Sequence, residues 1–341
     1  MPDDSQPERT PPAPRRRPTI RDIGTEAGVS KGLVSMILSG RPGPSAATTA
    51  RVLAIADRLG YRANRTASLL ARRRTHMLGV TMKPRNAFHG ELVEEVQAVA
   101  DEHGYELAFG AVTRSHDERR AVETLLDFRC EALILLGLDL SPAVLSELVK
   151  GVPAVSVGRP LDLPEVDVVR ADDATGMTLL VDHLVGLGHR VIAHADGGDG
   201  YIADVRRRGF QAAMHRHGLE PLVLRGGHTE RHGVDAAKAL DRSAGVTAIV
   251  AFNDRCAVGV LDQLDHSRIQ VPKHMSVTGY DDSLLAYLQR MNLTTVSQAP
   301  VEQARLAVAT AIERLDEGRT DRRVTVLEPQ LVVRRSTAEA P

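Results

Sequence analysis

The chain has no tryptophan, and five phenylalanines and five tyrosines make its aromatic content only 3% of 341 residues. A binding surface built mainly on stacked aromatic anchors is therefore not expected. Cysteine is scarcer still: Cys130 and Cys256 are too few and too far apart for a disulfide framework or a thiolate zinc cluster, and a reducing cytoplasm fits them. No run approaches the ~20 consecutive apolar residues of a membrane span. The opening "MPDDSQPERTPPAPRRRP" has no apolar stretch of the kind a secretory signal needs, so neither export nor a membrane partner is expected. Chemistry-bearing motifs are equally sparse. "DGGDG" at 196–200 is neither a dinucleotide fingerprint nor a Walker loop and reads as a loop over a cleft. The histidines of "HRH" (His215, His217) and "GGHTERHG" (His228, His232) have no credible metal partners, and no Ser/His/Asp arrangement stands out. Catalytic residues, a metal and a cofactor are accordingly not expected.

What is present is a sorting of charge that the net value of -1 conceals. Residues 1–76 hold 14 Arg and Lys against 6 Asp and Glu, whereas the remainder holds 29 against 38. A basic module joined to an acidic body points to nucleic acid at one end only. Residues 1–17, rich in Pro, Arg and acidic groups, read as a disordered basic arm in which Arg15, Arg16 and Arg17 either brush phosphate or stay solvated.

Within residues 18–63, Ile20, Ile23 and Ala27 fall at helical spacing and Gly28 suits a helix C-terminus. Ser30 then caps a second helix with an apolar stripe of Leu33, Val34, Ile37 and Leu38. A third helix starts at Ser45 and runs through Val52, Leu53, Ile55, Ala56 and Leu59 to a stop at Gly60. Two short helices about a tight glycine turn make a helix-turn-helix, whose second helix enters the major groove; a plain three-helix bundle is the alternative. Residues 64–75 continue as a linker, for "YRANRTASLLARRR" has helical spacing but is too short to be stable alone in water. Leu70 lies among Arg65, Arg72, Arg73 and Arg74, which suits a wedge pushed into the minor groove, or else a leucine packed on the next domain.

From Met77, apolar runs alternate with amphipathic helical patterns: "MLGVTM", Leu92 to Ala100, "YELAFGAV", Ala121 to Phe128, "ALILLG", Pro142 to Lys150 and "PAVSVG". This rhythm predicts an α/β fold with parallel sheets flanked by helices. A second set is read from "VDVVRADD" onward, through "VTAIVAFND" and "MSVTGYDD", so two lobes should face each other across a cleft at their strand ends. Arg206, Asn253 and Asp281, read as lying just after such ends, offer donors and an acceptor for a polar small molecule, a role favoured for Arg206 and Asp281 over the alternative of a salt bridge. Asp172, Asp254 and Asp282 read as helix caps or loop braces.

These elements in this order resemble the lac repressor (LacI/GalR) family of bacterial transcription regulators. The resemblance rests on Thr19-Ile20, "AGVS" at 27–30, Val34-Ser35, Ser45, Thr48, "LGY" at 59–61 and "NRTASLLA" at 64–71. It continues through "LVGLGHRVIAH", "RRRGFQAA", "TAIVAFNDRCAVGVLDQL", "VPKHMSVTGYDD" and "LTTVSQ". It implies a helix-turn-helix headpiece and a periplasmic-binding-protein-like effector domain over 76–341. The first lobe would span about 76–171 and 298–328, the second about 172–297 and 329–341. It implies DNA contacts from Thr19, Ser30, Lys31, Gly32, Ser35, Met36, Ser45, Thr48, Asn64, Ala67 and an intercalating Leu70. Arg206, Asn253, Asp281 and Gln298 take its effector-contacting positions, and Phe88 is a candidate aromatic wall. The implied partners are a near-palindromic double-stranded operator, a second copy of the chain and a small effector, with no tetramerising coiled coil expected after "LVVRRSTAEAP". A sugar or sugar derivative is the expected effector; a nucleoside, an organic acid, a phosphorylated ligand and a corepressor role are the alternatives, and a free-standing solute-binding protein is disfavoured by the attached basic module.

The departures from the family pattern are informative. Gly24 stands where Ala is common, and a helix-interior Gly costs roughly 1 kcal/mol relative to Ala, so the first helix should be locally weak. Lys31 can donate to guanine, whereas Gly32 and Met36 offer only close approach and apolar contact, so direct base readout is thin and phosphate contacts with minor-groove bending should carry much of the affinity. Between "LRGG" and "ERHG" the chain reads His228-Thr229 where relatives place a stacking ring, and Gly158-Arg159 stands where some use a carboxylate. Leu70→Ala should weaken operator binding strongly in a gel-shift titration while leaving effector affinity nearly intact; unchanged operator affinity would remove the wedge.

Overall fold

The computed structural model describes residues 18–38, 41–61 and 74–341, in two compact units that divide after Arg74. The basic arm and the Asn64, Ala67 and Leu70 expectations lie outside the described residues.

In the first unit, Thr19 opens helix α1 (Ile20–Ala27) with a reciprocal cap: its backbone N–H donates to Asp22 Oδ2 at 2.7 Å, and Asp22 N–H donates back to Thr19 Oγ1 at 3.4 Å. Gly28 ends the helix at φ 65°, a left-handed conformation that costs glycine little, and Ser30 Oγ accepts from Leu33 N–H at 3.2 Å to start helix α2 (Lys31–Leu38). Ser45 caps helix α3 (Ala46–Arg58) by accepting from Thr48 N–H. Ile23, Ala27, Val34, Ile37, Val52, Ile55 and Ala56 close one small core over these three helices. Leu53, read from periodicity as part of that core, is instead 47% exposed, because Val52, Ile55 and Ala56 already fill the inward arc of α3. Gly24 has a packing reason as well as a propensity cost. A Cβ there would stand 2.9 Å from the Val29 carbonyl oxygen, so the tight turn after α1 leans directly on this residue.

In the second unit, a six-stranded parallel sheet runs in the order β11-β5-β4-β3-β1-β2. Its strands are β1 (Met77–Met82), β2 (Glu106–Ala111), β3 (Ala132–Leu136), β4 (Ala154–Val157), β5 (Val166–Ala171) and β11 (Val324–Leu327). Alternate residues of β3 serve opposite faces. Ile134 and Leu136 join the core under α4 (Ala87–Glu102) and α11 (Pro300–Asp316), while Leu133 and Leu135 join the core under α5 (Glu118–Asp127) and α6 (Pro142–Leu148). The "VDVVRA" run, expected to open the second set, is β5 of this first sheet. It pairs with β4 and β11, and the switch of lobes comes only after it, where Asp172 caps α7 (Asp173–Gly186). Within β5 the fully buried Asp167 accepts from Arg314 Nε at 2.6 Å, from Arg319 Nη2 at 2.7 Å and from Arg323 N–H at 2.6 Å. Burial works against this carboxylate's charge, but the two guanidiniums and the amide outweigh it and hold its pKa below the ordinary value.

The second sheet runs β7-β6-β8-β9, built from β6 (Ile192–Ala195), β7 (Leu222–Leu224), β8 (Ala248–Ala251) and β9 (Ser276–Thr278). Helices α7, α8 (Tyr201–Arg216), α9 (Glu230–Lys238) and α10 (Asp254–His266) flank it, and an antiparallel pair, β10 (Thr295–Ser297) with β12 (Gln330–Val332), completes the lobe. The chain therefore crosses between lobes three times: after β5, after β10 and after β11. Gly176 of α7 lets the buried Tyr280 ring lie against the helix, since a Cβ there would fall 2.2 Å from the Tyr280 hydroxyl oxygen. Gly176→Ala gains about 1 kcal/mol of helix propensity but overpacks a core that lacks the space, at about 1–3 kcal/mol or more. The expected net result, read by calorimetry, is a lowered melting temperature for the second unit.

Candidate functional site

In the first unit, Lys31, Gly32, Ser35 and Met36 share the solvent face of α2, opposite the buried Val34 and Ile37. The hydroxyls of Thr19 and Thr48 are engaged in their caps, with Asp22 Oδ2 at 2.8 Å and Ser45 Oγ at 2.9 Å, so each would meet a phosphate as part of a helix N-terminus. Arg21, Arg41 and Arg51 are exposed around the same helices, and Arg58 pairs with Glu26.

In the second unit, a cavity of about 850 Å³ lies at the carboxyl ends of the strands of both sheets. Phe88, Arg206, Asn253, Asp281 and Gln298 all line it. Its deepest polar group is Arg206, only 3% exposed. Arg206 Nε donates to Asp173 Oδ1 at 2.8 Å, Nη1 donates to the Phe252 carbonyl at 2.8 Å, and Nη2 stands 3.6 Å from Asp281 Oδ1. Its guanidinium carbon lies 3.6 Å from the Tyr280 ring centroid and 4.9 Å from that of Phe252. Arg206 is thus both an ion-pair residue and a cavity wall. Gln298 Nε2 donates to Asp281 Oδ1 at 2.7 Å and is itself positioned by Gln303, whose Nε2 donates to the Gln298 carbonyl at 2.7 Å. Asn253 Oδ1 accepts from Cys256 N–H at 2.8 Å as the cap of α10, which leaves its amide NH2 as the end able to donate to a ligand.

Asp281 sits at φ 115°, a conformation that side chains other than glycine rarely adopt. Its amide is fixed by donating to the Val296 carbonyl at 2.9 Å. Burial raises its carboxyl to about 8 against the opposing pull of Arg206, because that single cation is already bonded to Asp173. Asp254, next to the cavity-lining Asn253, is a brace and not a ligand group: it accepts from Ser283 N–H at 2.7 Å, Ser283 Oγ at 2.9 Å and Thr295 Oγ1 at 2.6 Å. Asp172 caps α7 and Asp282 accepts from Arg334 Nη2 at 2.7 Å.

Several lining groups are not evident from sequence reasoning. Lys83 follows β1, Asp139 follows β3, and Phe252 precedes Asn253 at the end of β8; only their place after strand ends signals them. Asp139 reaches across the cleft, its Oδ1 accepting from Tyr201 N–H at 3.3 Å at the start of α8. Gly158 lines the cavity, whereas Arg159 turns away and donates to the carbonyls of Leu138 and Leu140 at 3.0 and 2.7 Å. His228 and Thr229 are at the wall, and Gly197, Asp199 and Gly200 of the glycine-rich loop also border it. Among the described residues no cluster of metal-ligating side chains is found, and no helix is long and apolar enough to cross a membrane.

A helix-turn-helix attached to a two-lobed fold with a polar cleft defines a class of protein in which a DNA-binding module is joined to a ligand-binding one. Residues 19–64 match the family model described as bacterial regulatory proteins, lacI family, and residues 181–337 match that of the periplasmic binding protein-like domain. The HTH-type transcriptional regulator CelR of Thermobifida fusca is 32% identical over 94% of this chain and 99% of its own length, and GalR of Escherichia coli is 31% identical over 94% and 96%. A crystal structure of a LacI transcriptional regulator from a Rhodococcus species is 45% identical over 77% of this chain and 99% of its own, with a TM-score of 0.75. The lac repressor dimer bound to operator is 26% identical over 95% and 100%, with a TM-score of 0.79. The chain belongs to the lacI family of bacterial regulatory proteins and is a DNA-binding transcriptional regulator.

The raised Asp281 carboxyl has a signed consequence. Its folded pKa of about 8 exceeds the ordinary 3.8, so its contribution to stability falls as pH rises between those values. Asp281→Asn keeps a side chain that tolerates positive φ and removes the buried charge. The melting temperature of the ligand-free variant should gain on wild type increasingly from pH 5 to pH 9, by roughly 2–4 °C for each kcal/mol. A constant difference across that range would contradict a raised carboxyl.

Proposed function

We propose that the protein is a homodimeric repressor that grips a near-palindromic operator through α2 and the 64–75 segment, and whose grip is set by a sugar or sugar derivative in the interlobe cavity. The observation that carries this reading is the joining of two surfaces in one chain: a solvent-facing α2 with Lys31 at its start, and a cleft where Arg206, Asp281, Asn253 and Gln298 offer both donors and acceptors. Such a set suits a polyol better than an apolar ligand. A solved complex of CelR with cellobiose, 29% identical to this chain with a TM-score of 0.69, supports a sugar in the equivalent role.

Self-association is supported by Leu284, Tyr287 and Leu288, which expose 58%, 61% and 50% of their surface on one short stretch of the second lobe. Two-fold symmetry in the protein would be mirrored in the operator half-sites. Effector closing the cleft would shift the lobes against each other at that interface and change the spacing of the headpieces, the two-state element to which both sites couple. Membership of a family of transcriptional regulators agrees with a non-enzymatic role, and its site of action would be the cytoplasm.

Selection of duplexes from a random library by the purified full chain at moderate salt should enrich a sequence with two-fold symmetry. Sedimentation should give twice the 36.9 kDa chain mass. Lys31→Ala should weaken the selected duplex by about 1–3 kcal/mol and relax one base position in each half-site. Failure to enrich any sequence, with and without a panel of sugars, would overturn the assignment.

A further inference from the structure

The groups read as polyol contacts occupy the floor of the cavity, and the other charged side chains of its lining are mostly cationic. Lys83, Arg85 and Arg114 come from the first lobe and Arg255 from the second, where His228 stands beside it. The acids close to them are largely committed. Glu118 holds Lys83 at 3.2 Å and Glu230 holds Arg255 at 2.7 Å, Asp139 accepts from Tyr201 at the start of α8, and Asp281 is taken by Arg206 and Gln298. Asp199 is exposed on its loop. Arg85 and Arg114 are exposed and have no carboxylate within ion-pair distance among the described residues.

Two further observations bear on this wall. Burial lowers the His228 pKa, and the cations Lys83 of the opposite lobe and Arg255 lower it further against the pull of Asp139, so His228 is held as a neutral ring that can donate a hydrogen bond beside those two cations. Thr229 and Asn253 cap the N-termini of α9 and α10 at the same wall, adding the partial positive charge of two helix ends.

We propose that the effector carries a negatively charged group, in its simplest form a phosphomonoester, docking between Lys83 and Arg85 of the first lobe and His228 and Arg255 of the second, with its hydroxyls toward Arg206 and Asp281. This rests on the reading of the cavity as the effector site. An anion at that position attracts cations of both lobes at once, so it binds the closed arrangement better than an open one. That difference is what a ligand needs in order to shift a conformational equilibrium. The departure at His228-Thr229 then fits: where relatives place a stacking ring, this chain has an imidazole able to donate a hydrogen bond and a capped helix N-terminus.

Isothermal titration of the full chain with matched pairs tests the proposal: galactose and galactose 1-phosphate, glucose and glucose 6-phosphate, ribose and ribose 5-phosphate, with gluconate as the carboxylate arm and inorganic phosphate as the bare anion. At least one ester should bind about tenfold or more tightly than its parent, with an affinity that falls as NaCl rises. Gluconate binding in place of any ester would mean that the anion docked there is a carboxylate, and would overturn the phosphomonoester form. Arg85→Ala and Arg255→Ala should each weaken that ester about tenfold and leave any binding of the parent sugar unchanged, with melting curves confirming the fold. The proposal is overturned if no anionic member binds more tightly than its neutral counterpart, or if both variants keep wild-type affinity for the ester. Duplex selection by the same preparation separates the two readings: a selected operator without preference for an anion sinks only this proposal, and anion binding without any selected operator sinks only the regulator's DNA role.

Discussion

The effector domain is organised about one buried guanidinium. Arg206 is removed from water, which is costly for any charge, and is compensated by a carboxylate at 2.8 Å, a carbonyl at 2.8 Å and the Tyr280 ring at 3.6 Å. Those partners come from α7, from the end of β8 and from the loop after β9, so satisfying one charge fixes the mutual position of three elements. A lysine could not replace it. Only the planar fork bonds in several directions while stacking on an aromatic face. The requirement propagates outward: Tyr280 can lie under the guanidinium only because Gly176 has no Cβ, and Asp281 is left with a partial share of the cation because Asp173 has taken the direct bond.

This sharing makes the floor of the cavity responsive. A carboxyl whose acceptor sites were all taken would have none left for a hydroxyl ligand. Asp281 is not closed in this way: Gln298 and Arg206 both face its Oδ1, and it is held in an uncommon backbone conformation by Val296 and by Gln298. A ligand that donates a hydroxyl proton to it supplies what Arg206 does not, which is a physical reason for ligand and fold to be coupled at this residue.

The parts of this molecule that were legible in its sequence are those governed by local rules. Ser30 and Ser45 cap helices, Gly28 turns the chain, and the alternation of apolar runs with amphipathic stretches announces parallel sheets, all of which depend on neighbours within a few residues. The arrangement around Arg206 was half legible: the arginine and Asp281 stand out as polar groups, but Arg206 lies inside α8 and not just after a strand end, and Asp173 and Tyr280 acquire meaning only when elements 33 and 74 residues away are brought beside it. The reading of Val166–Ala171 as the opening of the second set, made from the rhythm of apolar runs, failed for a related reason. An apolar strand carries no label saying which sheet receives it, and the turn that matters, at Asp172, comes after the strand. Leu53 was misplaced because the spacing of its neighbours admits it to the apolar arc, and only the tight packing of Val52, Ile55 and Ala56 excludes it.

Three chain crossings give the two lobes freedom of a particular kind. Each lobe has its own sheet and core, and polar contacts across the cleft bear on their relative position. The Asp139 carboxylate at the start of α8 and Glu91 Oε1, which accepts from Leu284 N–H at 2.6 Å, are two of these. Bonds of this type are individually worth only about 0.5–3 kcal/mol. A ligand spanning both walls therefore competes on equal terms with them. Glu91 meets the second lobe at Leu284, within the exposed apolar stretch proposed for self-association, so lobe closure would bear directly on the backbone of that surface.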